Sequence, residues 1–542
     1  MAAEIKHIDP QTLKRTLHDG GEIALLDARE EGVFFHRHLL MASCVPLARL
    51  ELLVDALVPR RGARVVWCDD GDGSAVRAAA RMSALGYRDV AVLDGGIAAW
   101  EAAGYRVYSG VHVPSKAFAE VVEHEAGTPY LSAPELKALI DRGADIAIFD
   151  SRSYEEYHNN SIPTAISVPG AELVYRFTDL TPSPDTTVIV NCGGRTRSII
   201  GAQALRNAGF RNKIMSLKDG TMAWHLAGFE VVHGATRRPP EVSDAGQKAA
   251  AEAVAGVAAR CDVRRIDRAT LAAWQAEAER RSLYVLDVRT PEEYAAGHLK
   301  GARSAPGGQL VQETDAHIAT WGSRIVLVDD NGVRATMTAS WLKQMGWSDV
   351  AVLVAGPSAA EWERGPNVPH VLGLDGIAVA TIMPALLRER LAAGGSATGT
   401  AVVVDLDTSR QYAQGHIPGA WFAIRSQLRE ALAKLPKAEA VVLTSPDGAL
   451  ARLAAADLAA DLADRRFAVI MVLAGGTDAW SRAGLPLETG ATHMASEPDD
   501  VVLSARERGQ GREEAMREYL AWEINLVNDM ASDDDQRFRV VA

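Results

Sequence analysis

The stretch VIVNCGGRTRSIIGAQALRNAG (residues 188–209) reads as three elements in a row: an apolar β-branched run, a glycine-containing polar turn, and a helical pattern over Ser198 to Gly209 that a glycine stops. A short buried strand running straight into a helix is the unit of a parallel sheet, because parallel neighbours need a crossover over one face. Working outward, the unit recurs. An apolar strand ending in Asp stands at Ile23 to Asp27, Ile146 to Asp150, Tyr284 to Asp287 and Val402 to Asp405, and in three copies Arg29, Arg152 or Arg289 follows two residues later. Eleven residues after each Asp come His38, Ser161, His298 and His416.

A second apolar strand ends 41, 42, 42 and 40 residues after each Asp, at Cys68, Cys192, Asp329 and Ser445. A third spans Val90 to Leu93, Ile214 to Leu217, Val350 to Val354 and Val469 to Leu473; each is followed by glycine and then by Trp100, Trp224, Trp362 or Trp480, read as core residues. Strand and helix alternating four times predict an α/β protein of four tandem domains, each a parallel sheet with helices on both faces. The boundaries fall at 1–110, 111–236, 261–370 and 371–495, with a linker and helix over 237–260 and a helical tail over 496–542.

The strand-end Asp residues are separated by 123, 137 and 118, and the longest gap holds Arg237, Arg238, Pro239, Pro240 and the alanine-rich Ala245 to Ala259. This reads as an exposed proline break before a linking helix, and it groups the first domain with the second and the third with the fourth. Arg512 to Asp529, with Met516, Leu520, Trp522 and Ile524, reads as an amphipathic helix that packs on its own protein.

At 542 residues, 48% hydrophobic and 23% charged, the chain has the composition of a multidomain globular protein. Its net charge of -13 opposes a phosphate backbone, so no nucleic-acid partner is expected. No apolar run is long enough for a bilayer, and Met1 to Pro10 lacks the apolar core of a signal peptide. The expectation is a cytoplasmic protein without membrane partners, its cysteines reduced. Those cysteines, at 44, 68, 192 and 261, form no CxxC pair, which disfavours a zinc site and a disulfide framework.

Cys192 is the residue to which chemistry is assigned. It ends a parallel strand, where such sheets bind ligands, and the helix that follows aims free amides and a positive dipole end at the sulfur. Gly193 and Gly194 let the backbone curl around a bound group, while Arg195 and Arg197 add positive charge that favours thiolate and offers an anion a forked donor. A buried inert cysteine is the alternative, and two loop arginines oppose it. In the first repeat Asp69, Asp70 and Asp72 surround Cys68, so that thiol is read as raised and inactive; Asp329 and Ser445 replace the cysteine elsewhere.

The chain resembles the rhodanese superfamily of sulfurtransferases over nearly its whole length. The resemblance rests on the strand-end Asp with Arg two later, Glu156 with Tyr157 and Glu293 with Tyr294, Gly297 with His298, the glycine and tryptophan of the third motif, and above all the loop from Cys192 to Arg197 with Ser198 after it. It implies that Cys192 takes sulfur from a small anionic donor such as thiosulfate, holds it as a persulfide and passes it to cyanide or a thiol, without a metal or organic cofactor. On these residues Arg195 and Arg197 bind the donor and help its leaving group, and the loop through Gly193, Gly194, Thr196 and Ser198 cradles the persulfide. Arg176 is a further candidate for the pocket, a solvated surface position being the alternative.

Two other readings stand beside this one. Cysteine phosphatases and arsenate reductases hold an anion between cysteine and arginine, usually six positions apart, whereas Arg197 lies five after Cys192. A non-catalytic binding or scaffold protein is suggested by three repeats that lack a competent loop.

Overall fold

The computed structural model of the chain describes residues 5–354, 361–392, 401–460 and 469–541. Four sheets carry the four repeats. In the second, strands Tyr130–Leu131, Ile214–Leu217, Thr187–Asn191, Ile146–Asp150 and Ile166–Ser167 lie side by side in that order, all parallel. The third and fourth sheets repeat this five-strand order. The non-sequential order follows from the helical crossovers, which carry the chain over one face or the other before it returns. Inward valines and isoleucines of the central strands are fully buried, as a sheet covered on both faces requires.

The strand-end Asp residues have a structural task. Asp27, Asp150 and Asp287 are buried, and each accepts a fork of hydrogen bonds from the arginine two residues on. Each arginine also donates to a backbone carbonyl eight residues away, at Arg37, Asn160 or Gly297, which pins the following helix against the sheet. The fourth repeat has Asp407 where the others have arginine, and among the described residues no cation forms an ion pair with the buried Asp405.

The pairing of domains is not the one that gap lengths suggest. One apolar core runs through the second and third repeats, joining Phe149, Val190 and Leu205 to Leu286, Leu327 and Trp341. Helix Asp244–Arg260 buries Ala250, Val254 and Val257 in that core, between helices Glu172–Leu180 and Val333–Gln344. Exposed residues run on both sides of Arg237, Arg238 and Pro240, from Val232 to Ala245, whereas the alanine-rich helix beyond them buries one face as a shared core element, because small apolar residues let three helices approach closely. Gly170 and Gly308 meet across this interface, where a Cβ on Gly308 would stand 3.0 Å from Gly170 N. The first repeat packs on the fourth through Arg425, which forks onto Glu51 at 2.6 and 3.0 Å. It also receives Thr320–Trp321 of the third repeat as an antiparallel strand beside Ile23–Asp27. Gap length measures a connection; which faces are apolar decides what packs.

The loop helix starts at Thr196 and ends at Asn207. The tail helix, Arg512–Met530, packs as expected, with Met516 and Leu520 buried and Ile524 facing out. Trp100, Trp224 and Trp480 are core residues, but Trp362 is 40% exposed, lying in a two-stranded antiparallel pair with His298–Leu299. The glycine before it, at 356, lies outside the described residues.

Candidate active site

Strand register assigns the loop positions. Asp27 pairs with Cys68, Asp150 with Asn191, Asp287 with Val328 and Asp405 with Thr444. Cys68 is therefore the counterpart of Asn191, and the residue that occupies the place of Cys192 in the first repeat is Asp69. Backbone contacts agree: the carbonyls of Asp69, Cys192 and Ser445 accept from Ile97 N, Thr221 N and Thr477 N in turn. A one-residue slip in a strand turns a side chain to the opposite face, and Cys68 points into the core beside Leu25 and Trp100. Burial, followed by the charge of Asp27, pushes its thiol well above the usual range.

In three repeats the loop closes on its own side chain. Asp69 accepts from the amides of Gly71 and Ala75, at 3.0 Å each. Asp329 accepts from Gly332 and Ala335, at 2.6 and 3.1 Å, and Ser445 Oγ from Ala451 at 3.2 Å. In the second repeat no described group accepts from the amides of Gly193 to Ser198. Cys192 Sγ lies 3.4 Å from Ser198 Oγ, whose hydroxyl donates to Arg195 O at 2.8 Å. The loop is held from behind: Thr221 N and its hydroxyl donate to Cys192 O, and Met222 N donates to Gly193 O. Gly220 (φ +54°) makes this possible, since a Cβ there would stand 2.4 Å from Cys192 O. Amides left free at a strand–helix junction form an anion cradle.

The two loop arginines have different tasks. Arg195 is buried and bound on three sides, to Glu120 at 2.6 and 2.7 Å, to Asp219 at 2.8 Å and to Glu123. Its donors are taken by carboxylates, so it fixes the loop and is not free to grip a donor. Arg197 forks onto Glu156 at 2.6 and 2.8 Å and donates to Gln309 of the third repeat at 2.9 Å. Arg197, with Arg152 and Arg506 behind it, holds the Glu156 carboxyl far below the usual range. Arg176 does not reach the cavity. It donates to Glu172 Oε2 at 2.6 Å and to Pro240 O at 3.0 Å, and lines a separate cleft between the second and third repeats.

Cys192 opens into a cavity of about 430 Å³, a size typical of small-molecule sites. Gly193, Gly194, Arg195, Thr196 and Arg197 form its floor, Met222 of the same repeat joins them, and the remaining walls come from other parts of the chain. The first repeat contributes Phe35, and the segment after it His112. The tail contributes Arg506, Tyr519, Trp522 and Glu523. The Arg506 guanidinium lies against Gly193, where a Cβ would come within 2.7 Å, and it sits 3.5 Å from Glu156. Burial and the neighbouring Arg152 lower its hold on its proton, opposed by Glu156 and Cys192. Sequence reading missed Arg506 because the tail has no counterpart in the repeats to align with; the only signal was the apolar stripe of the helix that follows it.

A sulfur at a strand end, an open amide cradle and arginines around it make up a cysteine loop carried on a four-repeat α/β frame. The Rhodanese-like domain model matches residues 9–103, 132–227, 268–361 and 383–483, and the chain belongs to that family. The crystal structure of a thiosulfate sulfurtransferase from Pseudomonas aeruginosa is similar to it at a TM-score of 0.93 and 47% identity, covering 99% of this chain and all of that one. Among curated proteins, an HTH-type transcriptional regulator of Mycobacterium tuberculosis is 35% identical over 111 residues, 20% of this chain and 48% of its own length. YrkF of Bacillus subtilis is 26% identical over 102 residues, 19% of this chain and 54% of its own length. The chain spans about half the length of these curated relatives. No helix among the described residues is long and apolar enough to cross a membrane.

Proposed function

We propose that the chain is a sulfurtransferase with one working site, Cys192, which takes sulfane sulfur from thiosulfate or a related anionic donor. The observation that carries this reading is the amide cradle of Gly193 to Ser198, open in the second repeat and filled by Asp69, Asp329 or Ser445 in the others. The Cys192 thiolate attacks the outer sulfur of thiosulfate. The sulfur–sulfur bond breaks, its electron pair leaves with sulfite, and the outer sulfur stays as a persulfide on Cys192. Arg197 and Arg506 supply positive charge where negative charge moves, while the loop amides hold the terminal sulfur. Transfer to cyanide or a thiol thiolate reverses the polarity: the acceptor bonds to the outer sulfur and Cys192 departs with the pair. Arg195 is a positioning residue, and the other repeats act as its scaffold.

The test is turnover of thiosulfate with cyanide, read as thiocyanate. The full chain should produce it and Cys192→Ala should not; equal thiocyanate from both would remove Cys192 from the reaction.

A further inference from the structure

Two buried charges in the Cys192 cavity take no part in the sulfur relay. Lys116, on helix Val113–Ala126, lines the cavity at 6% exposure. Its Nζ lies 5.4 Å from the Tyr519 ring centre and 5.2 Å from that of Trp522, and among the described residues no carboxylate pairs with it. Glu523, on the tail helix, is fully buried and lines the same cavity. Its Oε1 accepts from the Thr196 hydroxyl at 2.6 Å, while Oε2 accepts no hydrogen bond of good geometry, the Tyr519 phenol facing it from one turn away.

An ammonium that rests on two aromatic rings with no carboxylate at ion-pair distance among the described residues, and a carboxylate with half its capacity unused, are costly inside a protein. Burial lowers the Lys116 ammonium and raises the Glu523 carboxyl, each opposed by the other's charge across the cavity. One small ligand answers both, provided that it carries a carboxylate and an ammonium on neighbouring atoms. Tyr519 and Trp522 add aromatic surface for its carbon chain. The volume of about 430 Å³ agrees, since cyanide or thiosulfate alone leaves most of it empty.

We propose that Lys116 and Glu523 are the docking site for the α-amino-acid head of the sulfur acceptor, an aminothiol whose carboxylate meets Lys116 and whose ammonium meets Glu523 Oε2. This rests on the sulfurtransferase reading above. The acceptor thiol loses its proton to solvent and its sulfur attacks the outer sulfur of the Cys192 persulfide. The sulfur–sulfur bond breaks with its electrons going to Cys192, and the aminothiol leaves as a persulfide. Lys116 and Glu523 are specificity residues in this step.

Calorimetry on the full chain with S-methyl-L-cysteine, which cannot accept sulfur, tests the head-group site without requiring turnover. It should bind about tenfold or more tightly than 3-(methylthio)propionate, which lacks the ammonium, or 2-(methylthio)ethylamine, which lacks the carboxylate. Equal affinity for the three, or no binding, overturns the proposal, and no variant needs to fold for that comparison. Lys116→Met and Glu523→Gln should each lower the preference for L-cysteine over 2-mercaptoethanol, read as the ratio of their kcat/KM values, about tenfold; an unchanged ratio, whatever the loss on each thiol, would contradict a head-group role. Binding of S-methyl-L-cysteine by a protein that takes no sulfur from thiosulfate would uphold the site and reject the sulfurtransferase reading.

Discussion

Arg197 of the second repeat donates to Gln309 of the third at 2.9 Å, a contact that leaves its own domain. The third repeat returns it: Arg334, five after Asp329 as Arg197 is five after Cys192, donates to Glu172 of the second at 2.7 Å. Glu172 and Gln309 are themselves equivalent, each 22 residues past its strand-end Asp. Arg197 and Arg334 also bind the matching Glu156 and Glu293 of their own repeats. The third repeat, without a cysteine in its loop, thus buttresses the arginine of the one that has it.

Removing this support should be measurable. Gln309→Ala deletes one hydrogen bond to a charged group, worth about 1.5–3 kcal/mol when fully felt. It should lower kcat/KM for thiosulfate about 3- to 30-fold, the Glu156 fork remaining to hold Arg197. Unchanged kinetics would show that Glu156 alone positions the guanidinium.

A fragment ending at Arg238 should be poorly soluble and inactive, although proteolysis should cut the exposed Arg237 to Pro240 segment readily. Cutting there strips the second repeat of helix Asp244–Arg260 and of the third-repeat half of its core. A soluble, active 1–238 fragment, read by sedimentation and thiocyanate production, would contradict the shared core.

Arg506→Ala should raise KM for thiosulfate about 10- to 100-fold, the equivalent of about 1.5–3 kcal/mol, with a smaller effect for a neutral persulfide donor. Arg506→Lys should recover part of the loss, since it keeps the charge without the fork. Equal losses on charged and neutral donors would assign Arg506 to packing of the tail.

Asp405 gives the pH dependence a sign. Burial, with no arginine two residues on, pushes its carboxyl up to about 7. A carboxyl raised on folding favours the folded state below its unfolded value near 3.9 and loses that advantage as pH rises through about 7. Thermal melting should therefore fall between about pH 4 and 7 and level off above that, and Asp405→Asn should flatten that fall; an identical slope in the variant would show that another group titrates.

The four-domain α/β architecture was legible because strand, loop and helix recur with nearly fixed spacing, which only a repeated parallel unit produces. The position of Cys68 was not. Intervals of 41, 42, 42 and 40 residues allow one residue of slip, and a cysteine near a strand end attracts alignment with another cysteine. Register settles it, since Asp27 faces Cys68 as Asp150 faces Asn191. Arg195 and Arg176 were misjudged for a related reason: charge near a loop is visible in sequence, while carboxylates that use it up, such as Glu120 and Glu172, come from other elements. The contributions of Lys116, Arg506 and Glu523 depend on long-range packing, and nothing local marks them.

The most direct test of a single open cradle is mass spectrometry of the full chain after incubation with thiosulfate and removal of excess donor. One added sulfur atom should appear on the peptide containing Cys192 and none on the peptide containing Cys68. The label should persist in Cys68→Ser and vanish in Cys192→Ser. Sulfur on Cys68, or an unlabelled Cys192 in a folded protein, would contradict the account.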